Sequence, residues 1–310
     1  MLLSILYILA GLGAVLWGAD CFTDGASAMA RKFHVSELVI GLTVVALGTS
    51  APELAVSLMA QIQGASSMAV GNILGSNIFN TLAIVGITSM VAPILITRDT
   101  IKRDMPWCIL ASVLLVIMML CSAQIARWEA AILLACMAGF MYFTLRHSST
   151  ETSESQSEAQ PISTWKSVLR IIIGLAALVI GSRLFVNGAT SVGQSLGVSD
   201  AILGLTVAAW GTSLPELATS VSAARKGHSG LAIGNVVGSN IFNILFILGL
   251  TGIVRPLDVS GFSMADVIVF LVSVLLLWFF TRTKYKVERW EGAVLTLIFA
   301  AYTVWLILSA

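Results

Sequence analysis

Charged residues are scarce in this chain of 310 residues, at 11% of the sequence, against about 25% in soluble domains. Hydrophobic residues make up 57%, and the mean hydropathy is +0.95. These figures exclude a soluble globular protein. The net charge of +1 also provides no basic surface for nucleic acid. We therefore expect an integral membrane protein surrounded by the lipid bilayer, with no nucleic-acid partner and no evident obligate protein partner.

Cysteine and histidine are also rare. The four cysteines show no paired spacing, so we predict that they are small apolar side chains and form neither disulfides nor metal sites. The three histidines fall in predicted loops. Because soft and transition metals prefer these two side chains, their scarcity argues against such metals. We predict no cofactor.

Long apolar runs, in contrast, are abundant. About 20 apolar residues span a bilayer, and by this measure the chain contains ten predicted transmembrane segments. Their approximate ranges are 2–18, 38–61, 69–92, 105–123, 128–146, 168–186, 201–223, 231–254, 264–281 and 291–309. The predicted fold class is an all-α integral membrane protein with five helices in each half. The first half covers 1–146 and the second 168–310, and a flexible cytoplasmic linker rich in Ser, Glu and Gln covers 147–167.

The two halves repeat each other at a fixed offset of 163 residues. The stretch from Gly41 to Glu53 returns as Gly204 to Glu216, and Gly71 to Asn80 returns as Gly234 to Asn243. An odd number of spans per half gives the second half the opposite orientation, so we predict two inverted-topology five-helix repeats. Broken helices at matching positions of two repeats indicate the binding site of a transporter.

The basic residues provide an independent prediction of topology. With ten spans, 14 of the 17 Lys and Arg residues fall on one side of the membrane. The positive-inside rule assigns that side to the cytoplasm. We therefore predict that both termini are extracytoplasmic and that the protein lies in the cell (inner) membrane of a prokaryote.

Each copy of the first motif ends in a carboxylate within apolar sequence. Glu53 and Glu216 have no neighbouring Lys or Arg in their segments. A charged side chain at the centre of a membrane helix costs about 2.5–3.5 kcal/mol on insertion scales, so it is a functional-site hypothesis by default. Pro52 lacks an N–H and frees backbone carbonyls around residues 46–48. Together with the preceding Thr-Ser pair, these groups form a predicted all-oxygen cluster within the membrane.

The second motif adds hydroxyl and amide oxygens. Ser76 and Asn80 are four residues apart, as are Ser239 and Asn243, so each pair shares one helix face. We predict ligand roles for these four residues. For the other asparagines of the motif we predict helix-packing roles: Asn72, Asn77, Asn235 and Asn240.

This set of oxygen ligands selects hard cations such as Ca²⁺ or Na⁺. One Ca²⁺ would neutralise the formal charge of two glutamates. An empty site with two carboxylates at low dielectric would be costly, so we expect it always to hold protons, sodium or calcium. Competition between cations for one site is the physical requirement for exchange.

At these doubled motifs the sequence resembles the prokaryotic sodium/calcium exchanger family of the calcium/cation antiporters, over essentially the whole chain. The resemblance implies a secondary antiporter that exchanges Ca²⁺ for Na⁺ by alternating access at a mid-membrane site, with the first and sixth helices sliding across the rest. The implied ligands are Thr49, Ser50, Glu53, Ser76, Asn80, Thr212, Ser213, Glu216, Ser239 and Asn243, with the backbone carbonyls of Ala46 and Ala209.

One position departs from the family pattern. Well-studied members often carry an Asp where this chain has Asn243, so the site here has one formal negative charge fewer. Potassium-dependent exchange and Ca²⁺/H⁺ exchange therefore stay open as alternatives. A cation channel is an alternative of a different class, which the inverted repeat around one central cluster disfavours. A membrane-embedded enzyme is disfavoured because no catalytic metal motif or nucleophile–base pair is present.

Overall fold

The structure, a computed structural model, describes residues 1–146, 164–197 and 209–309. Within these residues the chain is almost entirely helical. The helices are α1 Leu2–Lys32, α2 Glu37–Thr49, α3 Ala51–Ile62, α4 Ser66–Val91, α5 Thr100–Cys121, α6 Arg127–Arg146, α7 Thr164–Ser195, α8 Ala209–Thr212, α9 Leu214–Arg225, α10 Ser229–Val254, α11 Met264–Arg282 and α12 Arg289–Ser309.

Eight of these helices are long and apolar enough to cross a membrane, and α2 with α3 forms a ninth span that is bent by 45°. The all-helical membrane fold is therefore confirmed. The predicted linker falls mostly outside the described residues, as does the first part of the predicted span 201–223. The count of ten spans and the inverted topology of the repeat stay predictions.

The predicted ends of two helices were wrong. The spans 2–18 and 168–186 were expected to end before the polar residues that follow them, but α1 continues to Lys32 and α7 to Ser195. The polar residues Asp20 and Asp24 lie within α1, where Lys226 pairs with both carboxylates. At about 1.5 Å per residue, helices of this length exceed the thickness of the hydrocarbon core.

Helices α1 and α7 pack against each other along glycines spaced seven residues apart, which we call the glycine seam: Gly11, Gly18, Gly25, Gly174, Gly181 and Gly188. A Cβ on Gly11 would lie 2.5 Å from the backbone nitrogen of Phe185, and a Cβ on Gly174 would lie 2.6 Å from that of Phe22. The two backbones are therefore in direct contact, as small residues allow in membrane helices.

Helices α4 and α10 form the centre of the molecule. In each, 83% of the most apolar stretch is buried, whereas the corresponding share of α1 is 28%. A π-helical segment interrupts both helices at matching positions, at Phe79–Ile84 and Phe242–Leu248, and a third lies at Gly41–Val45 in α2. Such segments are frequent at functional sites because they redirect side chains and leave backbone groups adjustable.

Two short sheets connect the halves near the two ends of α5. Strand β1 (Ile94–Leu95) pairs antiparallel with β4 (Lys286–Val287), and β2 (Gln124–Ile125) pairs with β3 (Leu257–Asp258). Each sheet thus takes one strand from each half. The halves are joined by backbone hydrogen bonds as well as by the shared core of α4 and α10.

The glycine seam yields a matched test. Gly11→Ala places a methyl group against backbone atoms at 2.5 and 2.6 Å, whereas nothing lies within 4 Å of a Cβ on Gly13. Overpacking typically costs about 1–3 kcal/mol, so Gly11→Ala should lower the unfolding temperature of the detergent-purified protein. Gly13→Ala should keep or raise it, because alanine favours helix. Equal unfolding temperatures for the two variants would contradict the close contact of α1 with α7.

Candidate cation-binding site

The two intramembrane glutamates lie at equivalent breaks between helices. Glu53 is in the first turn of α3 and Glu216 in the first turn of α9, and each directly follows a proline. Both side chains are buried, at 0% and 1% exposure. The free N–H groups of a helix N-terminus favour negative charge. The break in each span therefore places a carboxylate at the positive end of a short helix.

Each carboxylate is bonded by hydroxyls from the other half of the chain. The hydroxyl of Ser213 donates to Glu53 Oε1 at 2.8 Å, and that of Ser50 donates to Glu216 Oε1 at 3.2 Å. The serine of each Thr-Ser pair thus bonds the glutamate of the other repeat, which brings both motifs into one site.

Two equivalent asparagines hold the backbone at the glutamates. The side-chain amide of Asn72 donates to the Glu53 carbonyl at 3.2 Å and to Ser57 Oγ at 2.9 Å. Asn235 repeats the arrangement with the Glu216 carbonyl and Ser220, at the same two distances. Both amide groups are consumed by these contacts. The helix-packing role predicted for this pair matches the contacts.

The next asparagines form a second crossed arrangement. The amide of Asn80 donates to Asn240 Oδ1 at 3.2 Å, and the amide of Asn243 donates to Asn77 Oδ1 at 3.0 Å. Because the Nδ2 atoms are fixed in this way, each Oδ1 atom is directed away from these partners. Asn240 is held in turn by donating to Thr81 Oγ1 at 2.8 Å. Asn77 and Asn240 therefore orient the two side chains that we predicted as ligands.

Five buried oxygens of the predicted ligands have no hydrogen-bond partner among the described residues: Glu53 Oε2, Glu216 Oε2, Asn80 Oδ1, Asn243 Oδ1 and Ser239 Oγ. A buried polar atom without a partner costs about 1–3 kcal/mol, and more when it is charged. Four of the five are acceptors only. Carboxylate and amide oxygens of this kind are ligands for hard cations, so the unpaired atoms fit a bound cation.

The electrostatics of the site lead to the same conclusion. Neither Glu53 nor Glu216 forms an ion pair within the described parts of the chain. The two carboxylates repel each other across the site. In a medium of low dielectric this repulsion is large, so a cation or protons must accompany them.

The oxygens of three other predicted ligands either already have a hydrogen-bond partner or differ between the two repeats. Ser76 Oγ lies 3.3 Å from Ser213 Oγ, at the edge of the Glu53 contacts. The Ala46 carbonyl already accepts the Ser50 N–H at 3.0 Å and the Thr49 hydroxyl at 3.4 Å, so it is shared and not free. Ala209 begins α8, and the Ser213 N–H there bonds the Trp210 carbonyl at 3.1 Å. The two copies thus differ at these carbonyls.

Sequence reasoning missed the residues that orient the ligands. Ser57 and Ser220 each lie four residues after a glutamate and are related by the offset of 163 residues, a signal that was available in the repeat. Thr81 has no such signal, because its counterpart is Ile244. Its contact with Asn240 arises only when α4 and α10 pack together.

A cavity of about 860 Å³ lies beside the site. Pro52, Asn72 and Thr212 line it, as do residues such as Phe262 and Tyr302. Residues of both α7 and α3 contribute to its walls. The cavity therefore reaches the motif that carries Glu53 and the Thr-Ser pair of the second repeat.

The chain is similar to known proteins over nearly its whole length. The family described as "Sodium/calcium exchanger protein" matches residues 3–146 and 166–308. The sodium/calcium exchanger MaX1 of Methanosarcina acetivorans is 34% identical over 341 residues, covering 97% of each chain. Inner membrane protein YrbG of Escherichia coli is 34% identical and covers 99% of this chain and 96% of its own. A structure of the sodium-calcium exchanger NCX_Mj soaked with Na⁺ and Sr²⁺ superimposes with a TM-score of 0.85 at 30% identity, covering 97% of each chain.

Cation binding at this site can be measured without transport. Ca²⁺ should raise the unfolding temperature of the purified protein, since a ligand at a hundred times its Kd stabilises the folded state by about 2.7 kcal/mol. Glu53→Gln and Glu216→Gln should each lose most of that shift, because an amide does not balance a divalent charge.

The matched control is Glu291→Gln. Glu291 is 2% exposed, but its carboxylate caps α12 by accepting the Glu288 N–H at 2.7 Å. The control should keep the Ca²⁺-dependent shift even if its absolute stability falls. An undiminished shift in both Glu53→Gln and Glu216→Gln would contradict the site.

Proposed function

The chain belongs to the sodium/calcium exchanger family, and from this membership and its site we propose that it exchanges Ca²⁺ for Na⁺ across the membrane by alternating access. It is a cation antiporter of the exchanger type. The family is one of transporters and not of enzymes. Sodium and calcium are its proposed substrates.

One observation carries the proposal, namely the set of unpaired buried oxygens to which both halves contribute. Two carboxylates give the site a formal charge of −2, which either one Ca²⁺ or two Na⁺ neutralises. Because the same oxygens would bind both ions, calcium and sodium compete and do not bind together. That competition couples the movement of one ion to the return of the other.

The ligand set that we propose is the one implied by the repeated motifs. Glu53 and Glu216 supply the charge, and Asn80 and Asn243 supply the free amide oxygens described above. Around them stand the hydroxyls and carbonyls of Thr49, Ser50, Ser76, Thr212, Ser213, Ser239, Ala46 and Ala209.

Alternating access requires one part of the protein to move against another. We propose that α1 and α7 move as one body, because the glycine seam holds their backbones together while they contribute little to the central core. The rest, built on α4 and α10, stays fixed around the site. Ten helices in two inverted repeats would then present the site to either side in turn.

The proposed location is the inner membrane of a prokaryote, with both termini outside. The name of the relative YrbG and the distribution of basic residues support this placement. Because residue 243 is Asn and not Asp, the site has two carboxylates, and the ion that drives Ca²⁺ transport has to be determined by experiment. Potassium or protons take part if transport depends on their gradients.

Transport in proteoliposomes tests the proposal. Vesicles loaded with Na⁺ should take up Ca²⁺ at a rate at least tenfold above vesicles loaded with choline, because outward movement of sodium drives calcium inward. Glu53→Gln and Glu216→Gln should reduce the uptake to background. As a control, Glu129→Gln should retain it, since that carboxylate accepts the Ala126 N–H at 2.7 Å as a cap of α6. Uptake that requires a proton gradient or potassium in place of sodium would overturn the assignment of the driving ion.

A further inference from the structure

The offset of 163 residues relates the open cavity to a second, closed region of the protein. On α7 the cavity is lined by Arg183, Val186 and Asn187, and on α3 by Val56. The counterparts of the three α7 residues are Asp20, Thr23 and Asp24 on α1. The counterpart of Val56 is Thr219 on α9. The repeat therefore identifies the α1–α9 contact as the equivalent of the open cavity.

This second region is closed in the structure. Helix α1 packs directly on α9, whereas the cavity lies between α7 and α3. Val56 is 39% exposed, but Thr219 and Thr23 are both 0% exposed. The hydroxyls of both threonines are buried and have no hydrogen-bond partner among the described residues. Two unsatisfied hydroxyls are unfavourable in a permanent helix contact, but they are suited to a surface that contacts water or a cation when the helices separate.

A cluster of polar contacts joins α1 to α9 at the outer end of this region. Lys226 Nζ lies 2.7 Å from Asp24 Oδ1 and 3.4 Å from Asp20 Oδ1, and it donates to the Asp20 carbonyl at 3.1 Å. The hydroxyl of Ser222 on α9 donates to Asp20 Oδ1. We call these four residues the Lys226 clamp. The clamp joins α1 to the end of α9, which is the proposed cytoplasmic end.

We infer that the Lys226 clamp is the gate of the second access route, running from the site along α9 past Thr219 to the Asp20 end of α1. The inference rests on the proposed function, because a second route is needed only in an alternating-access transporter. When the clamp opens, α1 separates from α9, and Asp20 and Asp24 lose their cationic partner. Two free carboxylates then lie at the opening of the route, where they attract cations.

The clamp is suited to repeated opening. Its three charged side chains are partly exposed, at 30% for Lys226, 45% for Asp24 and 61% for Asp20. Ion pairs in contact with water contribute little to stability, so they can break and re-form readily. The cavity has Arg183 and Asn187 at the positions of Asp20 and Asp24, and the counterpart of Lys226 is Gln63, so the charged residues of the clamp are not repeated there.

Cysteine accessibility tests the gate without relying on transport. In a background with Cys21, Cys108, Cys121 and Cys136 replaced by alanine, Thr219→Cys and Val56→Cys would each be labelled with a charged methanethiosulfonate reagent in detergent, where both faces are accessible. Labelling would be followed by mass spectrometry. Val56→Cys should react quickly, and Thr219→Cys at least tenfold more slowly. Adding Lys226→Gln should speed the labelling of Thr219→Cys at least tenfold and leave that of Val56→Cys unchanged.

Further variants separate gating from misfolding. Lys226→Arg keeps the positive charge and should retain slow labelling at Thr219→Cys. Asp20→Asn with Asp24→Asn should speed labelling as Lys226→Gln does. All variants should elute as folded protein on size exclusion. Labelling of Thr219→Cys that is insensitive to Lys226→Gln, or as fast as that of Val56→Cys with the clamp intact, would overturn the gate. Labelling needs no ion gradient. If the protein failed to exchange Ca²⁺, the proposed substrate would be wrong, but the labelling rates would still test the gate.

Discussion

The repulsion between Glu53 and Glu216 is the constraint on which the rest of the structure depends. Two buried carboxylates without an ion pair among the described residues are stable only when a cation or protons accompany them. Each is supplied by a different half, and each accepts a hydroxyl from the opposite half. The site therefore exists only when the halves are assembled. The proposed exchange depends on this constraint, since a cation can leave the site only when another cation or protons replace it.

The helices around the site position the two carboxylates and the oxygens beside them. The breaks before α3 and α9 direct two helix N-termini at the carboxylates. Asn72 and Asn235 hold the broken backbone, while Asn77 and Asn240 orient the amide oxygens of Asn243 and Asn80. These supporting contacts come from α3, α4, α9 and α10. Helices α1 and α7 lie outside this support and are joined mainly to each other, which suits them to movement.

The repeated motifs were sufficient to predict the helical fold. They also indicated residues that the structure brings together, such as Glu53 with Ser213 and Glu216 with Ser50, because a polar pattern that occurs twice in apolar sequence is typical of a binding site shared by two repeats. The motifs did not predict the features that depend on contacts between residues far apart in the sequence. The end of α1 was predicted wrongly, and nothing in the local sequence indicates that Asp20 and Asp24 of this helix contact Lys226, about 200 residues later in the chain. The crossed bonds of Ser213 to Glu53 and Ser50 to Glu216 could not be derived from spacing within one motif. Nor could the contact of Thr81 with Asn240, which has no counterpart in the repeat.

The most direct test of the central claim is the position of a bound divalent cation. Strontium, a heavier congener of calcium, can be located by anomalous scattering in crystals of the protein. The account predicts one strong peak between Glu53 and Glu216, within coordination distance of both carboxylates and of the free oxygens of Asn80 and Asn243. A peak bound by only one half of the chain, or no peak between the two glutamates, would contradict a single site shared by both repeats.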